Sequence, residues 1–404
     1  MRKPSLAIIF LTVFIDLIGF GIVLPLLPRY IERFGGKGAL IGLVIGSFSL
    51  MQFIFSPIWG RISDRVGRRP ILLISNAGSA IAYTLFALAA DIGGTPGLLL
   101  VLVSRVFAGI CGANISVASA YIADITPVER RSRSMALIGL AFGLGFIFGP
   151  AIGAFGAKAY GLAGPGWVAA GLCGFNFVLS IFILKESLQT SSVKSEPRPR
   201  LEQWIHTFRQ PKLGGLIGLY FLATFCFTSF EATLPLLLAK AYKYDETQLG
   251  YIFSFCGVIA ALTQGGLIGV LVKRFGDGRL ISISLVVVGV SLALMPLAGS
   301  IGVLLILLAV FSAASNVNRT PTMGQISVHA PPGEQGATLG IAQSAGTLAR
   351  VFGPTYATAL YGVNTNLSFL VTAFLTVAGG IFAWKFLVSG ASASRGVAAV
   401  GEKI

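Results

Sequence analysis

Long apolar runs separated by short polar turns set the pattern of this chain. Twelve runs fall near residues 6–27, 40–60, 71–90, 98–121, 134–157, 167–184, 213–238, 249–272, 280–297, 301–323, 337–361 and 367–387. Each is close to the ~20 residues an α-helix needs to cross a bilayer core. The pattern predicts an all-α membrane protein of twelve transmembrane helices. The one long polar interruption, residues 186–211, carries Pro197 and Pro199 at its centre and reads as a linker. Trp204, Ile205 and Phe208 could give it a short surface helix with an apolar face, or it could be a plain tether.

Landmarks repeat across that linker. Pro25 is matched by Pro235, Gly60 by Gly269, and Gly149-Pro150 by Gly353-Pro354. Offsets that stay at roughly 200–210 residues argue for an internal duplication. The expected organisation is two pseudo-symmetric six-helix bundles, residues 1–185 and 212–390, joined by the linker 186–211 and followed by a tail, 391–404. Related halves of this kind usually hold a substrate site between them near mid-membrane and alternate its access by rocking.

Composition agrees with the pattern, since hydrophobic residues make up 55% of the 404 and charged ones 11%, against about 25% charged in a soluble domain. The net charge of +15 does not indicate nucleic acid, because the basic residues fall between apolar runs and not on one water-exposed face. They set the orientation. Of the 30 Lys and Arg, 21 lie on one side, including Arg61, Arg65, Arg68, Arg69, Lys273 and Arg274, and six on the other, including Arg29, Arg33 and Lys243. The basic-rich side is cytoplasmic by the positive-inside bias, which places both termini inside. The first run holds Asp16 and lacks a cleavage site, so it reads as a retained helix. Cys111, Cys173, Cys226 and Cys256 sit inside spans at unrelated spacings, so no disulfide framework, metal site or cofactor is expected.

Asp16 and Glu231 are the two carboxylates well inside predicted spans, each on the first helix of its half. An ionised carboxylate at bilayer depth costs at least ~2.5 kcal/mol, so these acids are candidates for proton coupling. The structural alternative is a buried ion pair with Arg105 or Arg350. One proton crossing 100 mV releases ~2.3 kcal/mol, enough to drive a substrate gradient. Tyr220, Thr224, Thr228 and Glu231 follow at spacings of four, four and three and form one polar stripe, while Thr12, Asp16 and Gly19 make a shorter one. Such stripes line a cavity or join helices. Asn114, Gln264 and Gln343, polar residues in other spans, complete the candidate substrate cavity.

Arg105 heads RVFAGICGAN on the fourth run, where Gly109 and Gly112 allow close approach of another helix. It could partner a membrane acid or snorkel to the surface. The fifth run places Gly145, Gly149 and Gly153 every fourth residue beside Pro150, a face suited to tight packing on a bent helix. Arg319 and Arg350 lie near span ends or on a possible pore face, with open roles.

With these residues in view, the chain resembles the major facilitator superfamily over essentially its whole length, and within it the twelve-span drug:proton antiporters related to tetracycline and multidrug exporters. GRISDRVGRRP, residues 60–70, is similar to the family's signature loop between spans two and three. The resemblance implies a conformational latch of Gly60, Asp64, Arg65, Gly67, Arg68 and Arg69 with Asp124 at the end of span four, holding the outward-facing state. RVFAGICGAN resembles the family's span-four arginine motif and implies a proton-coupling role for Arg105. GFIFGPAIGA resembles the span-five antiporter motif, with Ala154 where a second glycine is usual, and favours export. FIDLIGFGIVLPLLPRY resembles the tetracycline-exporter group, whose acid is matched by Asp16. Two departures stand out: the ninth span has no carboxylate, and the second copy of the loop has Lys273 where the first has Asp64.

The implied function is proton-coupled antiport exporting small amphiphilic drugs, tetracycline-like or multidrug, by a monomer in the bacterial cytoplasmic membrane. Its partners would be the substrate, protons and the lipid bilayer, without nucleic acid. The nearest competitor is a symporter importing a nutrient or metabolite, because one architecture serves either direction. An enzyme is disfavoured. Only His206 and His329 are available, both in or beside loops, and no nucleotide-binding glycine loop or zinc spacing appears.

Overall fold

Most of the apolar runs become helical rods that outlast them at one or both ends, because polar residues flanking a span can continue the helix beyond the hydrocarbon. The computed structural model describes residues 4–127, 131–188, 200–330 and 335–389, and all regular structure among them is helical. The first six rods are α1 (Leu6–Arg33), α2 (Ala39–Val66), α3 (Arg68–Ile92), α4 (Gly94–Ile125), α5 (Arg131–Tyr160) and α6 (Gly164–Ile183). A short linker helix, α7 (Arg200–Arg209), precedes α8 (Pro211–Tyr242). Then α9 runs from Glu246–Leu262 through a π turn, Thr263–Leu267, into Ile268–Phe275. The last four are α10 (Asp277–Leu297), α11 (Ile301–His329), α12 (Gln335–Val363) and α13 (Thr365–Val388). Leaving α7 aside, twelve rods stand among the described residues where twelve runs predict them. Arg130, Lys194, Pro197, Pro199 and the tail 391–404 lie outside the described residues.

Local chemistry explains the breaks. Proline lacks an N–H and crowds the carbonyl four residues back, and α1 meets Pro25 with a 3-10 turn at Leu24–Leu26 before resuming. Gly67 (φ 103°) and Gly276 (φ 73°) end α2 and α9 at matching places in the two copies of the basic loop. Both need the left-handed region that glycine enters without steric cost. The duplication is therefore visible in the backbone.

The chain forms two compact units. The first contains α1–α6 together with residues 231–258 and 354–362, which belong to α8, α9 and α12. Its buried cluster joins Ile9, Val13 and Leu17 of α1 to Ile71 and Leu72 of α3, Val117 and Tyr121 of α4, and Ala141 of α5. The later segments attach through close backbone approaches. Gly42 of α2 lies on Pro354 and Thr355 of α12 and donates its N–H to Thr358 Oγ1 at 3.1 Å.

The second unit contains α7, the rest of α8, α9 and α12, and α10, α11 and α13. Leu213, Leu216, Ile217 and Tyr220 of α8 bury against Ile326 of α11 and Ile341, Ala342 and Ala345 of α12. Trp204 of α7 packs on this cluster and stacks on Phe208 with ring centroids 5.7 Å apart. The helical reading of the linker's end is thereby realised, with its tryptophan anchored to protein.

Candidate functional site

Thr12, Asp16 and Gly19 share one face of α1, and the structure turns that face inward onto α3 and α6. Asn176 Nδ2 donates to the Thr12 carbonyl at 2.9 Å, and Asn76 Nδ2 donates to Ser180 Oγ at 3.3 Å, with Thr12 Oγ1 3.5 Å from the same hydroxyl. Half-buried Asp16 receives Asn114 Nδ2 on Oδ2 at 3.3 Å, with Cys173 Sγ 4.0 Å from Oδ1. Among the described residues no cation pairs with it. A carboxyl group held only by neutral donors can gain or lose a proton without stranding a partner charge.

Arg105 of α4 is 1% exposed and does not pair with Asp16. Its guanidinium carbon lies 5.4 Å from the ring centroids of both Tyr83 and Phe86 on α3, a cation–π arrangement, and Nε and Nη2 have no hydrogen-bond partner among the described residues. The same Tyr83 ring also reaches α1, since a Cβ placed on Gly19 would come 3.1 Å from it. Ser75, Ser79 and Tyr83, spaced by four, carry this second polar face of the site; that spacing is the signal in the sequence for it.

Within the charged loop, Arg68 is the residue that gathers carboxylates. Arg68 Nη1 lies 2.5 Å from Asp64 Oδ1 and its Nε donates to Asp124 Oδ2 at 3.2 Å. Arg65 is exposed and Gly60 has open space around it. A residue absent from the expected set completes the cluster. Glu186, just past α6, accepts from the backbone N–H groups of Arg68 (2.8 Å), Arg69 (3.1 Å), Ser187 (3.0 Å) and Leu188 (3.0 Å). It places a carboxylate on the exposed amides of the α3 N-terminus, where negative charge is stabilised. Ser187 Oγ donates to Asp124 at 3.0 Å. An acid directly after a span and facing a basic loop is the sequence trace of this contact.

The glycine face of α5 packs on α1. A Cβ at Gly149 would fall 2.6 Å from the Gly21 carbonyl carbon, and one at Gly145 2.9 Å from the Leu17 carbonyl oxygen. Gly153 meets Ile22 in the same way at 3.0 Å. Pro150 and Ala154 face the other way, onto Gly250 of α9. The methyl of Ala154, the departure from the motif, occupies the notch that Gly250 leaves open.

The candidate cavity residues of the later helices divide. Tyr220 is buried at 3% exposure against Gly346, and Thr224 and Thr228 donate to the carbonyls four residues back at 2.8 and 3.0 Å. Glu231 is buried on the same helix at 9%. Gln264 and Gln343 are exposed, and Gln264 Nε2 donates to Asn316 Oδ1 at 3.0 Å.

The model of the Major Facilitator Superfamily matches residues 9–267 and again 216–403. The chain belongs to this superfamily. It is 31% identical over 362 residues to the tetracycline resistance protein, class E, of Escherichia coli, covering 87% of this chain and 86% of that protein. It is 27% identical over 389 residues to multidrug resistance protein 2 of Bacillus subtilis (strain 168), covering 94% of each. The crystal structure of the human organic anion transporter MFSD10 (TETRAN) matches with a TM-score of 0.68 at 26% identity, over 95% of this chain and 100% of that one. Membership in the superfamily makes this a multi-pass membrane transporter, and the double match agrees with the duplication read from Gly67 and Gly276.

Proposed function

We propose that this superfamily member is a proton-coupled antiporter exporting small amphiphilic drugs, and that Asp16 is a proton carrier. The observation that carries the reading is the Asp16 carboxyl itself, inside a membrane span, hydrogen-bonded by Asn114 and unpaired with any cation among the described residues. A charged bystander acid at that depth is too costly to be retained without use. Arg105, nine residues before Asn114 on the same rod, supplies a positive field to the same interior without neutralising the acid. Glu231 on α8 is proposed as the second carrier, and the halves 1–185 and 212–390 as the bodies whose motion exposes the acids alternately. The names of the relatives, tetracycline and multidrug resistance proteins, support export of drug-like compounds.

Inverted membrane vesicles provide the test. D16N should abolish proton release driven by tetracycline or ethidium while leaving the protein folded, because Asn114 can hydrogen-bond an amide as well. Undiminished coupling in D16N and in E231Q would refute the assignment. In proteoliposomes under an imposed pH gradient, opposite movement of proton and drug separates antiport from symport.

A further inference from the structure

Arg319 stands on α11 eighteen residues after Ile301 and ten before His329. At 1.5 Å per residue it is about 6 Å from the helix midpoint and about 15 Å from the nearer end. The apolar run that α11 carries, residues 301–323, ends four residues past Arg319, so the residue lies about 6 Å inside the end of that run. The side chain is exposed and has no hydrogen-bond or ion-pair partner among the described residues.

The direction of that exposure is informative. Val303, Ile306, Val310 and Val328, the large apolar residues that α11 turns outward, lie on the opposite face of the helix from Arg319. On its own face, the residues one heptad away in each direction are buried, Ser312 at 4% and Ile326 at 0% exposure. Arg319 therefore sits at an opening in a face that is closed above and below it. Turned away from the outward-facing apolar residues of α11, the unpaired guanidinium is available to water or an anion.

Beside it lies an oriented amide pair. Asn316 accepts from Gln264 Nε2 at 3.0 Å and donates its own Nδ2 to the Ser312 carbonyl at 2.9 Å, which fixes both amides. Gln264 belongs to the π turn Thr263–Leu267, a distortion that recurs at functional sites. Its second Nε2–H remains free to donate. Asp277, the acid at the start of α10, accepts from Gln325 Nε2 at 2.7 Å.

We propose that Arg319, with Gln264 and Asn316 beside it, forms an anion subsite that holds a carboxylate, sulfonate or comparable acidic group of the transported amphiphile. The proposal rests on the transport reading above and narrows it, from drugs in general to zwitterions and organic anions. The planar fork of arginine suits such groups, offering two parallel N–H donors that a lysine lacks.

Rhodamine 110 and rhodamine 123 differ in one feature, a free carboxylate in the first and its methyl ester in the second. Binding of each to the purified full-length chain in detergent, read by fluorescence polarisation, tests the subsite directly. R319Q should weaken rhodamine 110 by about 10- to 100-fold, the loss expected for a charge-assisted contact, and change rhodamine 123 less than about twofold. R319K, which keeps the charge and protects against a folding failure of R319Q, should weaken rhodamine 110 by an intermediate factor. Equal losses for both dyes, no loss for either, or no binding of rhodamine 110 by the natural chain would each overturn the proposal. Uptake of the dyes by proteoliposomes under a pH gradient is the separate check on transport: no uptake, with dye discrimination intact in binding, would strike the transport reading alone.

Discussion

Arg33 and Glu246 stand 213 positions apart in the chain and meet face to face, with Nη2 donating to Oε2 at 3.1 Å and Nε 3.0 Å from Oε1. The contact joins the last residue of α1 to the first of α9, and Glu246 is nearly buried while Arg33 is 45% exposed. Close by in the fold, Tyr30 of the same helix end donates its hydroxyl to the Leu162 carbonyl. These ends are the ones that the distribution of basic residues assigns to the outside, and an opening that parted α1 from α9 there would have to break the ion pair.

R33Q or E246Q should loosen that contact. With the four cysteines replaced by serine and Thr358, fully buried beside Gly42, changed to cysteine, an impermeant maleimide should label either variant about 2–5-fold faster, as expected for a partly exposed pair. The swapped pair R33E with E246R should return labelling to the starting rate. Unchanged labelling in both single variants would show that packing alone closes this end.

Arg105 is held by aromatic faces and not by a carboxylate. R105K should fold and lose drug-dependent proton movement, because an ammonium cannot stack its charge flat between two rings. R105A should in addition lower the unfolding temperature by several degrees through the vacated space. Vesicle proton flux and thermal unfolding in detergent separate the two effects.

On α5, glycines that touch and glycines that do not should respond differently. G149L drives a side chain into the backbone of Gly21 and Ile22 and should cost about 1–3 kcal/mol or prevent folding. G143A, on the same helix with nothing within reach of its Cβ, should be neutral or slightly stabilising, since alanine favours a helix by about 1 kcal/mol. G250A should destabilise by colliding with the Ala154 methyl and the Pro150 carbonyl, and A154G should relieve part of it.

Glu186 accepts four backbone N–H groups, so E186Q should lose about 1–3 kcal/mol of stability, read by thermal unfolding. The effect should couple to that of D64N by less than additivity, because both act on the position of Arg68. Strict additivity would mean that the cap and the charge cluster work independently.

Much of this was legible in the chain. Twelve apolar runs specify twelve rods because the bilayer leaves backbone amides no partner except their own helix. The basic loop recurs in the chain and its resemblance to the family's signature loop implies a cluster of Asp64 with Arg68, whereas the positive-φ turns at Gly67 and Gly276 come from the backbone itself. A carboxylate in a span announces itself through its cost. What the sequence could not assign is which faces of those rods meet. Both an exposed cavity wall and a buried helix seam are polar stripes at a spacing of three or four, and Thr12 and Asp16 proved to face a seam with α3 and α6. Tyr83 between Arg105 and Gly19, Glu186 on the end of α3, Glu246 on Arg33 and the isolation of Arg319 depend on helix rotation and on contacts between residues far apart in sequence. Tertiary packing sets these, because each rod's rotation is decided by the shapes of its neighbours and not by its own hydrophobicity.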